Sequence, residues 1–96
     1  MIKHVVLFKF KPDSSEARFC ELENRLKALP GLISEIKSYE FGLDVMRTGR
    51  SYDFALVSAF EDIESLNRYQ THPAHVEVIG IVNELFDQIA AADFTC

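Results

Sequence analysis

Along residues 2–10, IKHVVLFKF, Ile2, His4, Val6, Phe8 and Phe10 fall on one side of a two-residue period, and Val5 and Leu7 lie between Lys3 and Lys9 on the other. β-Branched and aromatic residues in this arrangement predict a strand, which Pro12 stops. The period then changes. Phe19, Leu22, Leu26 and Leu29 recur at helical spacing, predicting a helix from about Ser14 to Leu29 with one buried stripe. Asp13 with Glu16 resembles a capping box at its start, and Pro30-Gly31 is expected to end it. Strict alternation returns in IKSYEFGLDV, where Tyr39, Phe41, Leu43 and Val45 share a face. A loop around Gly49 leads to a third strand, Tyr52 to Phe60. Asp62 is placed to cap a second helix, about Ile63 to Gln70, with Ile63, Leu66 and Tyr69 on one side. Pro73 opens a third helix reaching about Ile89, and the tail AADFTC has the composition of a short last strand.

The order β-α-β-β-α-α-β is that of a ferredoxin-like α+β sandwich, βαββαβ with its second helix broken at His72-Pro73. Both faces of its sheet are apolar. In the third strand Phe54, Leu56 and Phe60 lie on one side and Ala55, Val57 and Ala59 on the other. Helices can cover only one face, and a solvated face would carry polar residues. A second copy of the chain is the simplest cover, so a homodimer with sheets packed face to face is expected, burying on the order of 1,500 Å² or more.

Length fits one domain over residues 1–96 and leaves little room for another. No apolar run is long enough to span a membrane, and no basic segment followed by an apolar one marks a signal peptide. The net charge of −5 and pI near 5.1 argue against nucleic acid or an anionic membrane as partner, since both need a basic footprint. Cys20 and Cys96 make no metal or redox spacing, which fits a reducing cytoplasm, and Cys20 is expected in the core. Gly80 interrupts the third helix, where close packing against a neighbouring element would account for it. No glycine-rich phosphate loop, zinc-protease helix or nucleophile elbow is present, so no nucleotide, flavin or zinc cofactor is expected.

Candidate chemistry gathers in YQTHPAH, Tyr69 to His75, which holds two of the three histidines. Proline suits the first position of a helix and pushes the residue before it out of helical conformation. His72 is therefore the predicted N-cap, Pro73 the first helical residue and His75 the third. That separates the two histidines and argues against a metal site despite the H-x-x-H spacing. His75 heads the series Ile79, Val82 and Phe86, so it should face inward at the positive end of the helix dipole, where burial and the dipole favour neutral imidazole. A neutral imidazole in a semi-apolar place can serve as general base. Tyr69 should pack inward with its hydroxyl seeking a partner. His4 is the polar member of the bulky face of strand one. Each of the three also suits a purely structural role. Convergence on a cavity of roughly 300 Å³ or more would make them a site.

Three segments, KHVVLFKFK, YDFALVSAFED and YQTHPAHVEV, resemble the stress-responsive A/B barrel (Dabb) family over nearly the whole chain. The resemblance implies a ferredoxin-like chain that dimerises into an α+β barrel. The family includes a plant polyketide cyclase that closes a linear poly-β-keto thioester by intramolecular aldol condensation without a cofactor. Its acid/base tyrosine and histidine fall by resemblance on Tyr69 and His75, and its strand-one pocket histidine falls on His4. Where that cyclase has a pocket histidine on its third strand, Phe54 stands here. Two readings follow. One is a cofactor-independent cyclase, isomerase or related lyase acting on a small apolar carbonyl compound. The other is a non-catalytic, small-molecule-binding or stress-protective homodimer.

Overall fold

Alternating residues form the first strand, β1 (Ile2–Phe10), as expected. In the computed structural model, which describes residues 1–96, it is followed by α1 (Glu16–Leu32), β2 (Ser38–Leu43), β3 (Phe54–Phe60), α2 (Ile63–Thr71), α3 (Pro73–Leu85) and β4 (Phe86–Thr95). The strands make one antiparallel sheet in the order β2-β3-β1-β4. This is the ferredoxin-like arrangement. The helices lie on the face that carries His4, Val6, Phe8, Phe54, Leu56 and Phe60, all buried. Leu22, Leu26 and Leu29 of α1 and Val78, Ile81, Val82 and Leu85 of α3 close over that face.

Several boundaries differ from the pattern. α1 starts later than expected, with Ser15 rather than Asp13 as its cap, accepting from the Arg18 N–H at 3.2 Å. Ser14 is engaged elsewhere, donating its hydroxyl to the Leu85 carbonyl at 2.6 Å. Pro30-Gly31 does not end α1, which continues through Leu32 because the buried stripe runs on from Leu29 to fully buried Ile33. Core burial there outweighs the hydrogen bond that proline forfeits. α3 is shorter than expected and β4 longer. At Phe86 the chain turns extended, its ring lies 4.8 Å from both Phe8, tilted, and Phe10, stacked, and β4 pairs along all of β1 with a register shift at Lys9/Phe10. Alanines 90–92 favour helix locally, and the open edge of β1 overrides them.

Three side chains depart from their expected places. Cys20 is exposed, on the solvent side of α1, and not in the core. Ile63 is 63% exposed, so the inner side of α2 is formed by Ser65, Leu66 and Tyr69. Gly80 has open space where a Cβ would stand, with nothing within 4 Å, so close packing does not account for it. Gly80→Ala should therefore stabilise the fold by about 0.4–1 kcal/mol, read as a higher urea midpoint with unchanged slope. A loss of stability would show that the open space is used.

The opposite face of the sheet carries Val5, Leu7, Ala55, Val57 and Ala90, half-buried, with Phe94 at its edge 52% exposed. None of the three helices covers it. No helix of the chain is long and apolar enough to cross a membrane.

Candidate functional site

One transverse row on the helix-covered face is polar. Register places Tyr39 of β2 opposite Ser58 of β3, Ser58 opposite His4 of β1, and His4 opposite Asp93 of β4. The next row, Phe41, Leu56, Val6 and Ala91, is apolar throughout. Above the polar row stands Tyr69 from the last turn of α2, 1% exposed, its ring 4.8 Å from Phe60. His75, from the first turn of α3, packs against Tyr69 with ring centroids 4.3 Å apart. His4 meets Tyr69 edge-on at 6.4 Å. The three residues expected from sequence thus come together around one cavity.

The break between α2 and α3 is built as the proline predicts. His72 is extended, and its Nδ1 accepts from the Ala74 N–H at 3.1 Å. It is spent as a cap and does not line the cavity. His75 Nδ1 lies 3.1 Å from the Gln70 carbonyl oxygen. A carbonyl only accepts, so Nδ1 carries the proton and Nε2 holds the lone pair. His4 Nδ1 is hydrogen-bonded to the Asp93 carboxylate, which fixes its tautomer the same way and leaves Nε2 as its free nitrogen. Tyr69 and Tyr39 share a hydrogen bond between their hydroxyls at 2.7 Å.

The cavity measures about 390 Å³ and lies between the sheet, α1 and α3. Its polar groups are His4, Tyr39, Tyr69, Gln70 and His75, while residues such as Leu22, Phe54, Leu56, Val78 and Val82 supply the rest of the wall. No Lys, Arg, Asp or Glu lines it. Such a wall suits a neutral, largely apolar guest with few polar atoms, because an ionised guest would lie in a low-dielectric space with no countercharge. Ile79, expected on the buried stripe below His75, is 39% exposed and stands with Ile89 at the cavity wall. No group of three or more His, Cys, Asp or Glu side chains is arranged to hold a metal ion.

Burial sets the ionisation of these groups. Desolvation is the main influence on His75 and holds its pKa below the ordinary 6.5, with smaller contributions in the same direction from His4 and His72 and an opposing one from the Gln70 carbonyl. Burial pushes Tyr69 up to about 12, and Tyr39 higher still, so both hydroxyls are protonated at neutral pH. Stability depends on the histidine shift. His75 binds its proton less readily folded than unfolded, so its contribution is complete above the unfolded value of 6.5 and is lost as pH falls through the lower folded value. Urea midpoints should thus decline between about pH 7 and about pH 5, and His75→Gln should reduce that decline. The same slope in the variant would assign it to other groups.

Sequence reasoning missed two participants. Asp93 was out of reach because its meeting with His4 needs β4 in the correct register, 89 residues away in the chain. Tyr39 carried a signal, since it alternates inward with Phe41 and is the hydroxyl-bearing member of that face.

An antiparallel sheet covered by helices on one face, with histidines and tyrosines around an apolar cavity, defines a ferredoxin-like α+β domain of the kind that pairs into barrels. The chain belongs to the Stress responsive A/B Barrel Domain (Dabb) family, matching it over residues 2–96. It is similar to the stress-response A/B barrel domain-containing protein HS1 of Arabidopsis thaliana, with 33% identity over 95 residues that cover 97% of this chain and 87% of the relative. It is also similar to olivetolic acid cyclase of Cannabis sativa, 27% identical over 96 residues, covering 98% of this chain and 95% of that one. Among solved structures, a dimeric ferredoxin-like protein of unknown function from Thermobifida fusca superposes with a TM-score of 0.89 at 28% identity, over 99% of this chain and 90% of the other.

Proposed function

We propose that this chain forms a homodimer and acts without a cofactor as an acid–base catalyst on a small, neutral, largely apolar carbonyl compound, as a cyclase or isomerase. The observation that carries the reading is the packing of the His75 ring against Tyr69 in a cavity with no charged wall, where burial favours the neutral imidazole and the protonated hydroxyl. His75 Nε2 removes a proton α to the carbonyl; the electron pair of that C–H bond forms the enolate C=C bond, and the carbonyl π pair moves to oxygen. Tyr69 donates a hydrogen bond to the enolate oxygen. In a cyclase the enolate carbon then attacks a second carbonyl of the same molecule, forming a C–C bond, and the resulting alkoxide takes the proton back from the His75 imidazolium. His4, oriented by Asp93, positions the substrate. The likeness to olivetolic acid cyclase supports this reaction class. Phe54 stands where the family resemblance implies a pocket histidine in the plant polyketide cyclase, which supports a different substrate.

The test needs no knowledge of the natural substrate. In deuterated buffer, 2,4-pentanedione exchanges its α-protons at a rate that proton NMR follows directly. Exchange faster than in buffer with an equal concentration of free imidazole supports the reading. The free-imidazole rate, with no shift of the His75 ring resonances, overturns it in favour of a non-catalytic binding dimer.

The dimer is proposed to form through the uncovered sheet face. The apolar row of Val5, Leu7, Ala55 and Val57 supports this, as does the dimeric state of the Thermobifida fusca structure. We place the protein in a reducing cytoplasm, where Cys20 and Cys96, both free and exposed, would remain thiols.

A further inference from the structure

We propose that Tyr39 is a positioning residue of this site: its hydroxyl donates to the Tyr69 oxygen, leaving the Tyr69 proton free for a ligand oxygen, so that two hydroxyls in series hold a developing oxyanion. The inference rests on the acid–base reading above and adds to it a residue on the edge strand β2.

The placement is set by the sheet. β2 pairs only with β3, and register puts Tyr39 at the end of the polar row that runs through Ser58 and His4 to Asp93. The two edge strands thereby hold matching roles. Asp93 on β4 orients His4, and Tyr39 on β2 reaches Tyr69. The hydroxyl pair has two protons and one shared hydrogen bond of 2.7 Å, so one proton remains uncommitted. Tyr69 is the member beside both histidines, with His75 at 4.3 Å and His4 at 6.4 Å between ring centroids. Tyr39 packs against Tyr69 at 6.2 Å and against neither histidine. The uncommitted proton is useful at the reacting atoms only if it is that of Tyr69, which requires Tyr39 to be the donor. A hydroxyl that accepts one hydrogen bond donates a stronger one, and the gain grows as negative charge builds on the ligand oxygen. Desolvation of the pair strengthens both bonds further, because little water competes in the low-dielectric wall.

Para-substituted phenols of similar size and graded acidity serve as probes: each donates its proton toward His75 Nε2, and its oxygen, where the enolate oxygen would lie, gains negative charge and accepts from Tyr69. Wild-type affinity should rise with phenol acidity. Tyr39→Phe keeps the ring and should flatten that dependence, weakening the most acidic phenol about threefold to tenfold while the melting temperature shows the fold intact. Tyr69→Phe should weaken it at least as much. In the wild-type protein itself, a hydroxyl proton slow to exchange with water should show nuclear Overhauser contacts to both tyrosine rings, a readout that does not depend on the variant folding. Wild-type acidity dependence in Tyr39→Phe, with loss confined to Tyr69→Phe, overturns the role of Tyr39 and leaves the acid–base reading standing. Absence of the shared hydroxyl proton likewise overturns the role of Tyr39 alone. If no phenol binds the wild-type protein or moves the His75 ring resonances, the acid–base reading falls and the role of Tyr39 with it.

Discussion

Replacing His75 with alanine should lower the enzyme-dependent rate of α-proton exchange in 2,4-pentanedione by about 10²–10⁴-fold while leaving a folded dimer. The expectation of a retained fold comes from the small part His75 plays in the core. It is half-buried at the start of α3, outside the cluster of buried apolar residues, and its side chain makes one hydrogen bond, to the Gln70 carbonyl. Losing that bond should cost about 1 kcal/mol. The α2–α3 junction keeps its principal cap, since His72 and not His75 accepts the Ala74 N–H. The lost rate comes from removal of the Nε2 lone pair. With Nδ1 committed to Gln70 and burial holding the ring neutral, Nε2 is poised to accept a proton at neutral pH. Exchange measured per folded molecule, with folding followed by circular dichroism, separates the two contributions. Unchanged exchange per folded molecule, with lowered stability, would identify His75 as a structural residue.

Val57→Asp should weaken the proposed dimer by at least about 100-fold in dissociation constant without unfolding the protomer. Val57 lies at the middle of the uncovered sheet face, cross-strand from Val5 on one side and from Glu40 on the other. In a symmetric pair the substitution occurs twice, and each carboxylate would be buried between Val5 and Glu40. In the separated protomer the same position faces water, so the penalty reduces to the poor strand propensity of aspartate, up to about 1 kcal/mol. Sedimentation velocity across a dilution series reads the result. An unchanged dimer mass would place the interface elsewhere, and a wild-type protein that sediments as monomer at micromolar concentration would remove the dimer altogether.

The lengths of β1 and α2, the Asp62 cap and the placing of His72 at the helix start were legible in the chain because each depends on residues within a turn or two of one another. Proline at position 73 constrains its own φ and its predecessor's conformation whatever surrounds it, so the assignment of His72 as cap did not need the fold. The end of α1 differs from its local signal for the converse reason. Pro30 is a local stop signal, and whether it is obeyed depends on the burial of Ile33 beyond it. Ile63 and Cys20 show the same limit, since helical spacing gives the stripe but the width of the covered surface is set by neighbouring elements.

By itself, then, the sequence determined the order of elements, the two-sided apolar sheet, and the identity of three of the polar groups that meet at the cavity, His4, Tyr69 and His75. These follow from periodicities of two and 3.6 residues, which are properties of the local backbone. Only the tertiary structure decided that the alanine-rich tail from Phe86 is a full strand, that Asp93 meets His4 and that Tyr39 meets Tyr69. It also decided that the space among them stays open at about 390 Å³ instead of filling with side chains. Those outcomes join residues 89 and 30 positions apart and depend on sheet register and on how closely α3 approaches the sheet, quantities that no local spacing encodes.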